Sequence, residues 1–98
     1  MDNTIIEKIT EFSTIVKKNY NVDSVILYGS YAKNEANANS DIDVAVVFDK
    51  ITTDYLKLMT DLYKLATDID DRIETVLIEK FDDKSGFLES ILTYGKKF

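Results

Sequence analysis

From Asp41 to Phe48 the chain reads at the two-residue period of a strand. Ile42, Val44, Val46 and Phe48 fall on one side of an extended segment, and Asp41, Asp43, Ala45 and Val47 on the other. That period predicts a strand. The next periodic segment has a different spacing: Tyr55, Leu58, Met59, Leu62, Leu65, Ala66 and Ile69 form an apolar stripe at helical intervals, which reads as core packing. A β-branched run from Ile73 to Ile78 follows and predicts another strand. A helix of this length between two strands is long enough to serve as a crossover between parallel neighbours.

The flanking segments complete the pattern. Thr4-Ile5-Ile6-Glu7 reads as a capping box with Thr4 as N-cap, and Ile5, Ile9, Phe12 and Val16 continue it as a helix to about Lys18. Asn19-Tyr20-Asn21 is a plausible stop. Val25-Ile26-Leu27-Tyr28 is a short strand closed by Gly29. Residues 31–40 suggest a short helix and a loop, and residues 84–94 a last helix ended near Gly95. Asp68, Asp70 and Asp71 read as a solvated helix end and turn, and Lys96-Lys97 as solvated, with Phe98 as a candidate to pin the tail. The expected fold is α+β, with helices flanking one small mixed sheet of three to four strands and residues 1–98 forming a single domain.

With 98 residues, one thin core is what the chain can build. The first residues, Met1-Asp2-Asn3-Thr4, do not read as a signal peptide, and no apolar run approaches a membrane span. Cysteine and histidine are both absent, which excludes disulfides, thiolate zinc sites and His-based nucleophile triads. A cytoplasmic location and no membrane partner are the corresponding expectations. The formal net charge of −6 and the single arginine, Arg72, weigh against a direct nucleic-acid surface. They leave room for a basic protein partner.

Two clusters carry chemistry. Asp41 and Asp43, two apart on a strand, send both carboxylates from the same face. Like charges so placed raise each other's pKa unless a cation lies between them. Hard cations such as Mg²⁺ take oxygen ligands and keep room for substrate phosphates, so the pair is a sensible metal clamp. Gly29 lets backbone approach a phosphate, Ser30 adds a hydroxyl and an N–H at the start of a short helix, and Lys33 a positive charge one turn on. Each part alone is a turn or a solvated strand start. No EF-hand pattern surrounds the aspartates.

Together, Gly29-Ser30-Tyr31-Ala32-Lys33 and Ser40-Asp41-Ile42-Asp43-Val44 resemble the signature of the polymerase β-like nucleotidyltransferase superfamily, in its minimal nucleotidyltransferase branch. The family often has glycine where Asn34 stands; asparagine is the next-best residue for a left-handed turn. The resemblance implies that fold and a third carboxylate on a later strand, for which Glu74 is the candidate and Glu79, at the far end of the strand, the alternative. A plainer reading makes Glu74 a surface partner of Arg72. By resemblance, Asp41, Asp43 and Glu74 are catalytic and metal-binding, and Gly29, Ser30, Lys33 and Ser40 bind the nucleotide. Tyr28, Tyr31 and Tyr94 are candidate pocket walls or simply half-buried tyrosines.

The implied reaction moves a nucleoside monophosphate, expected to be AMP from ATP with Mg²⁺, onto a hydroxyl. Relatives with other substrates usually carry a further domain for the acceptor, so the acceptor surface is expected from a partner or a second copy. In the minimal branch the implied partner is a HEPN-domain toxin, with this chain as its antitoxin. The alternatives are a small-molecule nucleotidyltransferase that completes its site by dimerising, a subunit that modifies another protein, and an antitoxin that only binds; a homo-oligomer is a further candidate partner state.

Overall fold

A computed structural model describes residues 3–83 and 85–98. Helix α1 spans Asn3–Asn19, strand β1 Ser24–Tyr28, the short helix α2 Gly29–Ala32, β2 Ile42–Phe48, α3 Tyr55–Ile69, β3 Ile73–Glu79, α4 Phe87–Tyr94 and β4 Lys96–Lys97. A single 3₁₀ turn, Lys80–Asp82, follows β3. The fold is α+β, with one four-stranded mixed sheet in the order β3-β2-β1-β4. β1 runs antiparallel to β2 and β4, while β2 and β3 are parallel and joined by α3.

The alternation in β2 sorts its side chains as the sequence predicts. Ile42, Val44, Val46 and Phe48 join Val25, Leu27, Ile73 and Leu77 under α1 and α3, where Ile9, Phe12, Val16, Leu62 and Ala66 are fully enclosed. Ala45 and Val47 join Ile26 and Ile78 on the other face, beneath Ile91 of α4. Each enclosed Val, Leu, Ile or Phe contributes about 1.5–3 kcal/mol by leaving water. The end of the sheet where β1 stops and β2 and β3 begin is therefore held between two packed layers.

Several expectations need correction. Helix α1 already includes Asn3, so Thr4 lies in its first turn instead of capping it; a helix end is rarely legible to the residue. In α3 the sheet covers the row Leu58, Leu62 and Ala66, whereas Tyr55 and Met59, expected in the core, are 44% and 39% exposed. Those two flank the buried row at the margin of what the sheet can cover. Asp70 is not solvated: its side chain is 6% exposed and accepts from Lys8 Nζ at 2.7 Å and from Arg72 Nη2 at 2.8 Å. Residue 84, expected to open the last helix, lies outside the described residues; α4 runs from Phe87, after Asp83 Oδ2 accepts from the backbone N–H of Leu88 at 2.7 Å. Lys96 and Lys97 are exposed yet extend the sheet beside Leu27 and Ile26.

Phe98 does pin the tail. Its N–H donates to Val25 O at 2.9 Å, and its carbonyl accepts from Ser13 Oγ at 3.1 Å and from Lys17 Nζ. No helix among the described residues is long and apolar enough to cross a membrane.

Candidate active site

β1 ends at Tyr28, and Gly29 turns the chain into α2 with φ 72°, the left-handed region that glycine enters without steric cost. There is a second reason for glycine. A Cβ at this position would collide with Asp43 Oδ2 and lie 3.1 Å from Asp43 Cγ. The bare backbone of the turn thus rests against the Asp43 carboxylate.

Strand pairing sets the rest. Tyr28 pairs with Asp43 across β1 and β2, and Asp43 pairs with Glu74 across β2 and β3. By alternation all three belong to the face that carries Ile26, Ala45 and Ile78. They form one row across the sheet end. Asp41 stands one residue ahead of β2 rather than on it, and is exposed. Glu79 pairs with Phe48 at the far end, away from this row.

The row is electrostatically loaded. Burial, then Asp41 and Glu74, push the Asp43 carboxyl above its ordinary value. Burial, then the charges of Asp43 and Glu74, likewise push the Tyr28 phenol up. Phe87 meets Tyr28 edge-on, with ring centroids 5.7 Å apart. Arg72 does not pair with Glu74. Its guanidinium turns to Asp70, and Glu74 stays exposed at the rim.

Lys33 ends α2 with its ammonium 5.1 Å from the centre of the Tyr94 ring, a cation–π contact. Between α2 and α4 lies an open cleft of about 280 Å³ lined by Tyr28, Gly29, Lys33, Phe87, Ser90 and Tyr94 among others. Ser30 sits half-buried in the first turn of α2. Ser40 is placed differently: its hydroxyl accepts from Asn37 N–H at 3.0 Å and closes the loop 37–40. Tyr31 also leaves the row; its hydroxyl donates to Asn37 O at 3.3 Å. Asn34, at φ 58°, takes the left-handed position that its residue type tolerates.

Gly29, Ser30, Lys33, Asp41, Asp43 and Glu74 thus border one end of the sheet, whereas the Ser40 hydroxyl is engaged elsewhere. Phe87 and Ser90, which the sequence reading passed over, complete the cleft from α4. Their only signal was a place on the last amphipathic helix.

The donor set can be tested against a metal. Asp41, Asp43 and Glu74 offer hard oxygen ligands only, which suits Mg²⁺ and not softer ions. Among the described residues no three acidic groups already form a metal-enclosing cluster. Mg²⁺ commonly takes one or two carboxylates and completes its shell with substrate phosphates and water, so an open carboxylate row fits it.

Comparison with known proteins meets this geometry. Residues 7–98 match the family described as polymerase beta, nucleotidyltransferase. MJ1215 of Methanocaldococcus jannaschii, named as an inferred protein adenylyltransferase, is 39% identical over 67 residues, which is 68% of this chain and 67% of that one. A chain from the crystal structure of a toxin–antitoxin with AMP-PNP superposes with a TM-score of 0.64 at 27% identity, over 97% of this chain and 69% of that one. A chain from the complex of a tri-AMPylated Shewanella oneidensis HEPN toxin with its MNT antitoxin gives 0.54 at 24% identity, over 97% of this chain and 66% of that one, a likeness of fold. With the family model matched from residue 7 to residue 98, this chain belongs to the polymerase β nucleotidyltransferase family.

Proposed function

We propose that this nucleotidyltransferase is a protein adenylyltransferase that moves AMP from ATP to a hydroxyl of a partner protein, and that the partner is a HEPN-domain toxin it neutralises as antitoxin. One observation carries the catalytic reading: the in-register row Tyr28, Asp43 and Glu74 ends against the bare backbone of Gly29. A turn that admits a phosphate beside paired carboxylates is what phosphoryl chemistry needs, since such chemistry is mostly positioning and charge stabilisation. The adenylyltransferase name of MJ1215 and the AMP-PNP complex support ATP as donor. The partner follows from the resemblance of the Gly29-Ser30 and Asp41/Asp43 motif and from the toxin–antitoxin origin of the 27% identical chain.

In this reading Asp41 and Asp43 hold magnesium, with Glu74 as a third oxygen ligand or as base. The metal would neutralise phosphate charge and favour in-line displacement. Gly29 and Ser30 take the β- and γ-phosphates from the turn, and the Lys33 ammonium adds charge from α2. The acceptor oxygen attacks the α-phosphorus; the O–P bond forms as the bond to pyrophosphate breaks. The acceptor's proton passes to Glu74, which is exposed at the rim where a docked protein can reach it.

The test is transfer of label from α-labelled ATP to a purified HEPN-domain protein with Mg²⁺. Label is expected on the partner with wild type and not with Asp41→Ala/Asp43→Ala. Equal labelling by both proteins rejects the catalytic reading. Neutralisation by the unlabelling double variant would instead identify an antitoxin that only binds.

A further inference from the structure

The single arginine lies behind the carboxylate row, and the row does not explain it. Arg72 Nε and Nη2 grip both oxygens of Asp70 at 3.0 and 2.8 Å, and Asp70 is also held by Lys8 of α1 at 2.7 Å. So anchored, Arg72 reaches forward. Nη1 donates to the Tyr31 hydroxyl at 3.2 Å and to Ala38 O at 3.4 Å. Its own carbonyl accepts from Ile42 N–H at 2.8 Å.

These bonds bracket Asp41. Ala38 precedes it by three residues and Ile42 follows it directly, and both are tied to Arg72. Tyr31 lies on α2 beside Gly29 and Ser30, and its hydroxyl donates onward to Asn37 O. Glu74 stands two residues beyond Arg72 on β3. The Arg72 side chain therefore links α2 to the Asp41 loop, while its main-chain carbonyl, directly before the strand that carries Glu74, holds the start of β2.

Packing does not do this work. The loop borders an open cavity of about 420 Å³, lined by Asn34, Asn37 and Ala38 together with Ile5, Tyr31 and Arg72 among others. A loop beside such a space has room to sag, and directional hydrogen bonds hold it instead. We infer that Arg72, braced by Asp70 and acting with Tyr31, is a positioning residue that fixes the loop 34–41 and so holds Asp41 in register with Asp43. The inference rests on the proposed nucleotide transfer for its consequence, but not for its structural content.

Two variants test it. Tyr31→Phe removes one hydroxyl and keeps the ring; Arg72→Lys keeps the charge and loses the fork that grips Asp70 while reaching Ala38. Hydrogen exchange without nucleotide should speed up about tenfold across residues 34–41 in both variants and stay unchanged in β2 and α3. In the transfer assay kcat should fall about tenfold for Arg72→Lys and less for Tyr31→Phe, because small misplacements of reacting groups are costly. The Mg²⁺ concentration giving half-maximal rate should rise in the same order. Exchange that is unchanged in 34–41, or raised equally everywhere as in general destabilisation, overturns the inference. If wild type transfers nothing, the proposed activity fails, and the exchange measurement still decides the positioning role.

Discussion

Asp43 and Glu74 face each other across parallel neighbouring strands, paired at their Cα positions, and the nearby charge of Asp41 joins that of Glu74 in opposing ionisation of Asp43. Among the described residues no lysine or arginine forms an ion pair with either carboxylate. Arg72, two residues from Glu74, is committed to Asp70. The protein thus carries uncompensated negative charge at the sheet end, stability given up where a cation and phosphates are proposed to bind.

That relationship makes stability depend on pH. The Asp43 carboxyl is raised above 3.8 when folded, chiefly by burial and then by Asp41 and Glu74. Below 3.8 the group is protonated in folded and unfolded protein, and its favourable proton binding counts fully; as pH rises through the raised folded value that contribution is lost. Asp43→Asn should therefore raise the metal-free melting temperature at pH 7, by about 2 °C given the partial exposure of the site, and abolish transfer. Thermal scans at pH 7 and pH 3 check it. An equal gain at both would point to a cause other than charge.

Gly29→Ala should separate activity from folding. The left-handed φ of 72° costs a non-glycine residue about 1–2 kcal/mol. The new methyl also has to displace the Asp43 carboxylate. Transfer should fall by about a hundredfold, as misplacement of a reacting group predicts, while the circular dichroism spectrum stays native. Wild-type turnover by the variant would show that the turn does not need its bare backbone.

Asp70→Asn should be among the more damaging single substitutions. It removes the charge that Lys8 and Arg72 share at a side chain only 6% exposed. Loss of about 2–3 kcal/mol is expected by urea unfolding at pH 7. Arg72 and Lys8 hold the Asp70 carboxyl well below its ordinary 3.8, so its stabilisation is present above that value and is lost as pH falls toward the lowered one. The difference between variant and wild type should narrow in acid.

Thr75→Val should run the other way. Thr75 Oγ1 is buried without a hydrogen-bond partner, on the β3 face that packs under the helices. An unsatisfied buried hydroxyl costs about 1–3 kcal/mol, and valine fills nearly the same volume. A gain of about 1 kcal/mol in unfolding free energy is expected. A loss would reveal a polar partner for the hydroxyl, such as a bound water.

Local pattern alone determined much of this protein. Alternation through Ile42–Phe48 named the faces of β2, the 15-residue helix after it was long enough for the parallel crossover to β3, and glycine at the end of β1 marked the turn. Each of these depends on neighbours in sequence, through the periods of strand and helix or the steric freedom of one residue. Tertiary structure decided the rest, because it depends on residues distant in sequence. Lys96 and Lys97 become a strand only because β1 offers an open edge, and no apolar period marks them. Asp70 is held by a lysine 62 residues away, and Arg72 turns to that acid in place of Glu74. The pairing of Asp43 with Glu74 combines both levels: alternation placed each on its face, and the register of two strands set them opposite one another.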